Sequence, residues 1–181
     1  MQRTVTTPAD LNGAALEELK AWLGISRPNE DALLMDLLGA SVSLCEAFTG
    51  QLPLEQTVEE TAPSLSGNST LSSRPVRSLV SAELIAEDGS RSPLPASDYD
   101  FRIDDKNVAT FTLKDNQEGR GIAVSVRAGV AADWEALPHA LKQGAVRLAA
   151  YHYRDRESLG ASPPPASVTA LWRPWRTLRL A

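Results

Sequence analysis

The 181 residues include one cysteine, Cys45, and two histidines, His139 and His152. A single thiol makes no internal disulfide, and two histidines without companion thiols offer no zinc cluster. The absence of an unbroken run of about 18 apolar residues excludes a membrane span. Met1–Asp10 (MQRTVTTPAD) has no apolar centre of the kind a secretion signal needs, so an intracellular or assembly-bound chain is expected. Catalytic motifs are also missing. His139 and His152 lie 13 positions apart on one expected helix, too far to act on one atom. Ser41 and Ser43 lack the Gly-x-Ser-x-Gly setting of a nucleophile elbow. Glu118-Gly119-Arg120-Gly121 has glycines but no following Lys-Ser/Thr, so it reads as a turn and not as a phosphate cradle. The adjacent acids Glu59-Glu60 and Asp104-Asp105 point apart in a strand or turn. No catalytic constellation, cofactor or metal is expected.

What is present is a chain of ordinary globular make-up, 43% hydrophobic, with room for one domain plus a small insertion and a tail. Its net charge of −5 is unevenly spread. Residues 1–60 carry ten acids against three bases, whereas beyond Glu157 there are three arginines and no acid. Such asymmetry separates a head from a tail with different partners, unless it is a solvated acidic face and chance.

Helical spacing dominates the first fifty residues. Thr7-Pro8-Ala9-Asp10 looks like a helix entry, followed by Leu16, Leu19, Trp22 and Leu23 on one stripe with Glu17, Glu18 and Lys20 on the wet side. Gly24 supplies a stop. Ser26-Arg27-Pro28-Asn29 opens a longer helix, with Glu30 and Asp31 at its positive end. Leu33, Leu34, Leu37, Leu38, Leu44, Cys45 and Phe48 form its apolar face, and Thr49-Gly50 ends it. Cys45 reads as a small core residue.

From Gln51 to Gly129 the period changes to two. Thr57–Thr61 suggests a short exposed strand, and Ala62–Ser73 a mobile loop. Val76–Ala86 is strand-like and runs into the turn Glu87-Asp88-Gly89-Ser90. Tyr99, Phe101 and Ile103 alternate with polar residues, as do Ala109, Phe111 and Leu113, and then Ile122, Val124 and Val126. These strands make a small antiparallel sheet inserted between helices. Helical spacing returns after Leu137-Pro138, where Leu141, Ala145, Leu148 and Tyr151 share a face and Gly144, Ala149 and Ala150 admit a close neighbour. The fold class is therefore α+β, divided into N-terminal helices (1–50), an inserted β region (51–130), a C-terminal core helix (131–160) and a linker with tail (161–181).

The tail is unusual for a chain end. Ser162-Pro163-Pro164-Pro165 extends as a polyproline spacer. Trp172 and Trp175, two of the four tryptophans, then fall within the last ten residues among Leu171, Leu178, Leu180, Arg173, Arg176 and Arg179, with Pro174 interrupting any regular helix. Chain ends are normally frayed and polar, whereas Trp and Arg are the residues enriched at interface hot spots. Three readings follow: docking into another subunit or protein, folding back onto the chain's own domain, or a weak, salt-sensitive nucleic-acid arm.

In order along the chain, Leu16–Ile25 (LEELKAWLGI), Asp31-Ala32-Leu33-Leu34, Cys45–Gly50 (CEAFTG), Arg74-Pro75-Val76, Tyr99, Val126–Gly129 (VRAG), Leu137-Pro138, Leu141-Lys142-Gln143 and Tyr151–Glu157 (YHYRDRE) are the words of a known pattern. Through them the chain resembles the head–tail connector (adaptor) proteins of long-tailed bacteriophages and phage-like gene transfer agents. Ala62–Ser73 departs from that pattern. The resemblance implies a non-enzymatic, twelve-fold homo-oligomeric ring in the neck of the particle, assembled in the bacterial cytoplasm and seated beneath the portal. It implies that Leu171, Trp172, Arg173, Pro174, Trp175, Arg176, Leu178 and Arg179 dock into the portal and that the opposite side receives the next joining or stopper protein. DNA then passes through the channel without being read; a separate expectation from the charge pattern is that the acidic N-terminal helices, with Glu17 and Glu18, face that channel and keep DNA from sticking. No membrane partner is implied. The competing expectation is a small DNA-binding or regulatory helical protein that uses its basic tail.

Overall fold

The computed structural model describes residues 2–63, 67–114, 119–155 and 163–177. The chain divides into two compact units, a helical one built from 9–54 and 131–181 and a sheet one built from 1–8 and 55–130.

In the helical unit, α1 spans Ala14–Leu23, later than Thr7–Asp10 suggests. Asp10 instead accepts the Asn12 N–H at 2.9 Å in a tight turn, and Gly13, at φ 68°, admits the backbone to the helix. After a 3-10 turn at Pro28–Glu30, α2 runs Asp31–Thr49 and closes on Gly50 at φ 73°. The third helix, α3, is His139–Arg154, and α4 is Ala166–Trp172, continued by a 3-10 turn at Arg173–Trp175. Among the described residues these are the α-helices.

Which faces they bury differs from the simple apolar stripes. On α1 the buried groups are Ala15, Leu19 and Lys20, while Trp22 is 43% exposed. Lys20 is buried because its ammonium lies 2.9 Å from Asp31, tying the end of α1 to the start of α2, with Glu17 at 3.8 Å. The hydrogen bond to Asp31 raises the lysine's pKa above its ordinary value. Glu18, expected on the wet side, accepts the indole N–H of buried Trp134 at 2.9 Å and the Gln143 amide at 3.3 Å. It serves as an internal clamp. On α2 the buried row is Leu34, Leu38, Ser41, Cys45 and Thr49. Ser41 and Thr49 enter it because each hydroxyl donates to the carbonyl four residues earlier, at 2.8 Å. Burial pushes the Cys45 thiol up to about 12, so it is a packed, unreactive group at neutral pH. The small residues of α3 (Gly144, Ala145, Ala149 and Ala150) are all buried, as close packing requires. Tyr153 near its end donates to Glu30 at 2.6 Å.

The sheet unit holds more strands than the alternation shows. Gln2–Thr7 is β1, Gln56–Ala62 β2, Gly67–Thr70 β3, Val76–Ile85 β4, Arg91–Pro93 β5, Tyr99–Ile103 β6, Ala109–Leu113 β7 and Gly121–Ala128 β8. They form two antiparallel sheets, one ordered β1-β2-β8-β4-β5 and the other β3-β7-β6. The N-terminal segment, grouped with the helices in the sequence, is the edge strand of the larger sheet, with Val5 opposite Val58 and Gln2 opposite Thr61. That pairing and the neighbouring β8 make β2 an interior strand, not an exposed one. Val58 and Glu60 are fully buried in it. Within Ala62–Ser73, where a loop was expected, Gly67–Thr70 pairs with β7, and the Thr112 hydroxyl donates to Asn68 at 2.7 Å. Residues 64–66 lie outside the described residues. The β4–β5 hairpin turns where expected, with Asp88 accepting the Ser90 N–H at 2.8 Å. Alternating burial of Ala109, Phe111 and Leu113 on β7 also follows the sequence, with Tyr99 stacked on Phe111 at 4.9 Å.

Candidate docking surface

The tail residues singled out by sequence are not one exposed strip. Leu178 and Arg179 lie outside the described residues. Trp172 is fully buried within its own helical unit. Its indole covers Gly144, where a Cβ would stand 2.0 Å from Nε1. The indole N–H donates to the Leu141 carbonyl at 3.3 Å, and the ring centroid lies 6.1 Å from that of Phe48. Trp172, expected among the portal-docking residues, here anchors the tail on its own helical unit. The cause is the space over Gly144, which lacks a side chain and so lets the flat indole lie against the α3 backbone.

Beyond Trp172 the chain stays against the end of α2. The Gln51 amide donates to the Trp175 carbonyl at 2.5 Å, and Thr177 donates to the Thr49 carbonyl through both its N–H (2.8 Å) and its hydroxyl (3.0 Å). The Arg176 guanidinium stands 5.6 Å from the Phe48 ring. Leu171 and Trp175 are half-buried, whereas Arg173, Pro174 and Arg176 are exposed. The outward face of this segment is therefore two guanidiniums held apart by a proline on a turn whose backbone is fixed. Such groups suit carboxylates or carbonyls of a facing protein.

A second outward feature escaped the sequence. Leu33 and Leu44 on α2 are 41% and 37% exposed, and Pro28–Thr49 is, by length and composition, apolar enough to cross a membrane. The test of unbroken apolar runs passes over it because Asp36 and Glu46 interrupt the run. The doubled pairs Leu33-Leu34, Leu37-Leu38 and Leu44-Cys45 were the available signal, since one buried face takes only one member of each pair.

No three His, Cys, Asp or Glu side chains converge among the described residues. An open cleft of about 550 Å³ over β3, β6 and β7 is lined by Asn68, Asp100, Arg102, Asp104, Thr110 and Thr112.

No family model and no curated protein matches the chain. Solved structures do. A chain in the neck of an empty gene transfer agent (GTA) particle, computed with C6 symmetry, superposes with a TM-score of 0.81 at 24% identity. One from the neck of a native GTA particle, computed with C12 symmetry, gives 0.79 at 25%, and one from the virion of a native GTA particle gives 0.78 at 24%. In each case all of this chain and 98% of the other are covered. The chain is built like a particle-neck protein. The likeness spans both units and the tail, so the α+β arrangement with its antiparallel sheets is shared whole.

Proposed function

We propose that this protein is a structural head–tail connector of a phage-like particle, a non-enzymatic subunit of a ring that sits under the portal in the neck. The observation that carries the reading is the end-to-end match to a neck chain solved with C12 symmetry, at a TM-score of 0.79 and 25% identity. A ring of this kind needs a surface for the portal, a surface for the next joining protein and a channel that lets DNA pass without binding it. The C-terminal segment supplies the portal contact through Arg173, Pro174 and Arg176, flanked by Leu171 and Trp175 and extended by Leu178 and Arg179. Its place on the ring body is set by Trp172 and by the Thr177–Thr49 hydrogen bonds. An anchored segment loses little freedom on docking, which favours a tight joint.

The test is capture of the portal protein by the full-length chain against the Arg173→Glu/Arg176→Glu variant. Cutting the chain before the tail is unsuitable, since it also removes Trp172 from the core. Lost portal capture with the ring retained is the expected result. Unchanged capture overturns the assignment of these arginines. Retention on DNA at moderate salt that vanishes in the same variant, with no portal binding by either protein, replaces the connector reading with the DNA-binding one.

A further inference from the structure

Among the described residues, one long apolar face of the helical unit is left partly exposed. On α2, Leu33, Leu37, Ala40 and Leu44 recur at spacings of four, three and four, each one residue before a member of the buried row Leu34, Leu38, Ser41 and Cys45. The row is therefore turned about 100° from the core, the angle between successive helical residues. Its 4-3-4 spacing is that of a seam between packed helices. Asp36 lies on the same side, between Leu33 and Ala40, and is exposed.

A second patch on the same unit has the opposite charge. Trp22 of α1 stands exposed with the Arg147 guanidinium 5.6 Å from its ring centroid. Arg147 is exposed on α3 and puts a positive charge at the indole, while Arg154, also exposed, lies two turns further along the helix. One apolar patch carries an acid and the other a base. Two unlike, complementary patches on one molecule are the requirement for a heterologous contact that closes into a ring.

We infer that the α2 stripe packs against the Trp22–Arg147 patch of a second copy of this chain, with Asp36 of one copy facing Arg147 of the next. The inference rests on the ring reading above and names the surface that the ring uses. A lipid surface is the other occupant a helix of this length suits. However, α2 has Asp36 and Glu46 and no lysine or arginine, whereas interfacial helices carry bases on their polar face.

The experiment is sedimentation velocity of the full-length chain over a wide concentration range, with circular dichroism to verify the fold of each variant. Leu33→Glu and Leu44→Glu change exposed positions, and each should shift the midpoint of self-association by about tenfold or more. Asp36→Arg and Arg147→Asp should each weaken it, and combining them in one chain should restore it, which a merely structural role would not do. Unchanged association in the leucine variants, or absence of rescue in the charge swap, overturns the inference. So does flotation of the wild-type chain with anionic phosphatidylglycerol vesicles that is lost in Leu44→Glu. A chain that stays monomeric at every concentration yet captures the portal overturns this contact and leaves the connector reading standing. Stripe-dependent association without portal capture supports the contact and overturns the connector reading.

Discussion

Trp172 closes α4 with its ring laid on Gly144 and its N–H 3.3 Å from the Leu141 carbonyl. A buried indole of this size stabilises its domain chiefly by the area it removes from water, and its donor finds an acceptor in the same place. Replacing it with alanine leaves a cavity beside Phe48, and Trp172→Ala should cost about 3–5 kcal/mol in urea denaturation. The reciprocal change, Gly144→Ala, sets a methyl group where the ring already is, and about 1–3 kcal/mol is expected from overpacking. The two are coupled because the smaller side chain at 172 makes room for the methyl at 144. The double variant should therefore be more stable than the sum of the single losses predicts. Strict additivity, or a Trp172→Ala midpoint equal to that of wild type, would mean the indole is not seated on Gly144.

At the scale of elements, β2 carries a carboxylate that is out of water and still satisfied. Glu60 is fully buried, and its two oxygens accept the N–H groups of Ser72 and Ser73 at 2.8 and 2.7 Å. One side chain thereby fixes the segment leading from β3 toward β4. Glu60→Ala strands both N–H groups, each worth about 1–3 kcal/mol when left unpaired. A loss of about 2 kcal/mol or more in urea denaturation is expected, with faster amide exchange at Ser72 and Ser73, and Glu60→Gln should lose less because one acceptor remains. Unaltered exchange at those two amides would dispose of the clamp. The same strand shows where the sequence could be read and where it could not. Helices α2 and α3 and strands β6, β7 and β8 announce themselves by period and β4 by its strand-forming residues, although Ile103 at the end of β6 and Val80 in β4 stay exposed. Strand β2 reads as exposed because Glu59-Glu60 looks wet, and only the distant amides of Ser72 and Ser73 explain the second acid. Strands β1 and β3 lack apolar alternation and are held by main-chain pairing with β2 and β7. In the tail, residue type marked the segment as a place of contact. Type does not say whose surface is contacted, and for Trp172 that depended on the missing side chain at Gly144. Lys20 and Glu18 were misplaced for a related reason: their partners, Asp31 and Trp134, come from other elements.

Across the whole molecule, the acids and bases occupy different stretches of chain, ten acids against three bases in residues 1–60 and three arginines without an acid after Glu157. In a ring this distribution repeats with every copy, and the consequence is multiplicative. Under the portal docking proposed above, each exposed arginine would make a contact that salt weakens, so one tail alone would bind poorly. On that reading, once one copy docked, its ring neighbours would face their own portal sites at high effective concentration, and the joint would last although each link is modest. Rings assembled from wild-type chains mixed with Arg173→Glu/Arg176→Glu chains should therefore lose the portal non-linearly. Retention, followed by co-sedimentation at fixed ionic strength, should stay high while most copies are wild type and collapse over a narrow range of composition. Raising the salt should move that collapse toward a higher wild-type fraction, because every remaining link is weaker. A straight-line fall with composition would show that copies dock independently, and a salt-insensitive collapse would take the arginines out of the contact and leave it to Leu171 and Trp175.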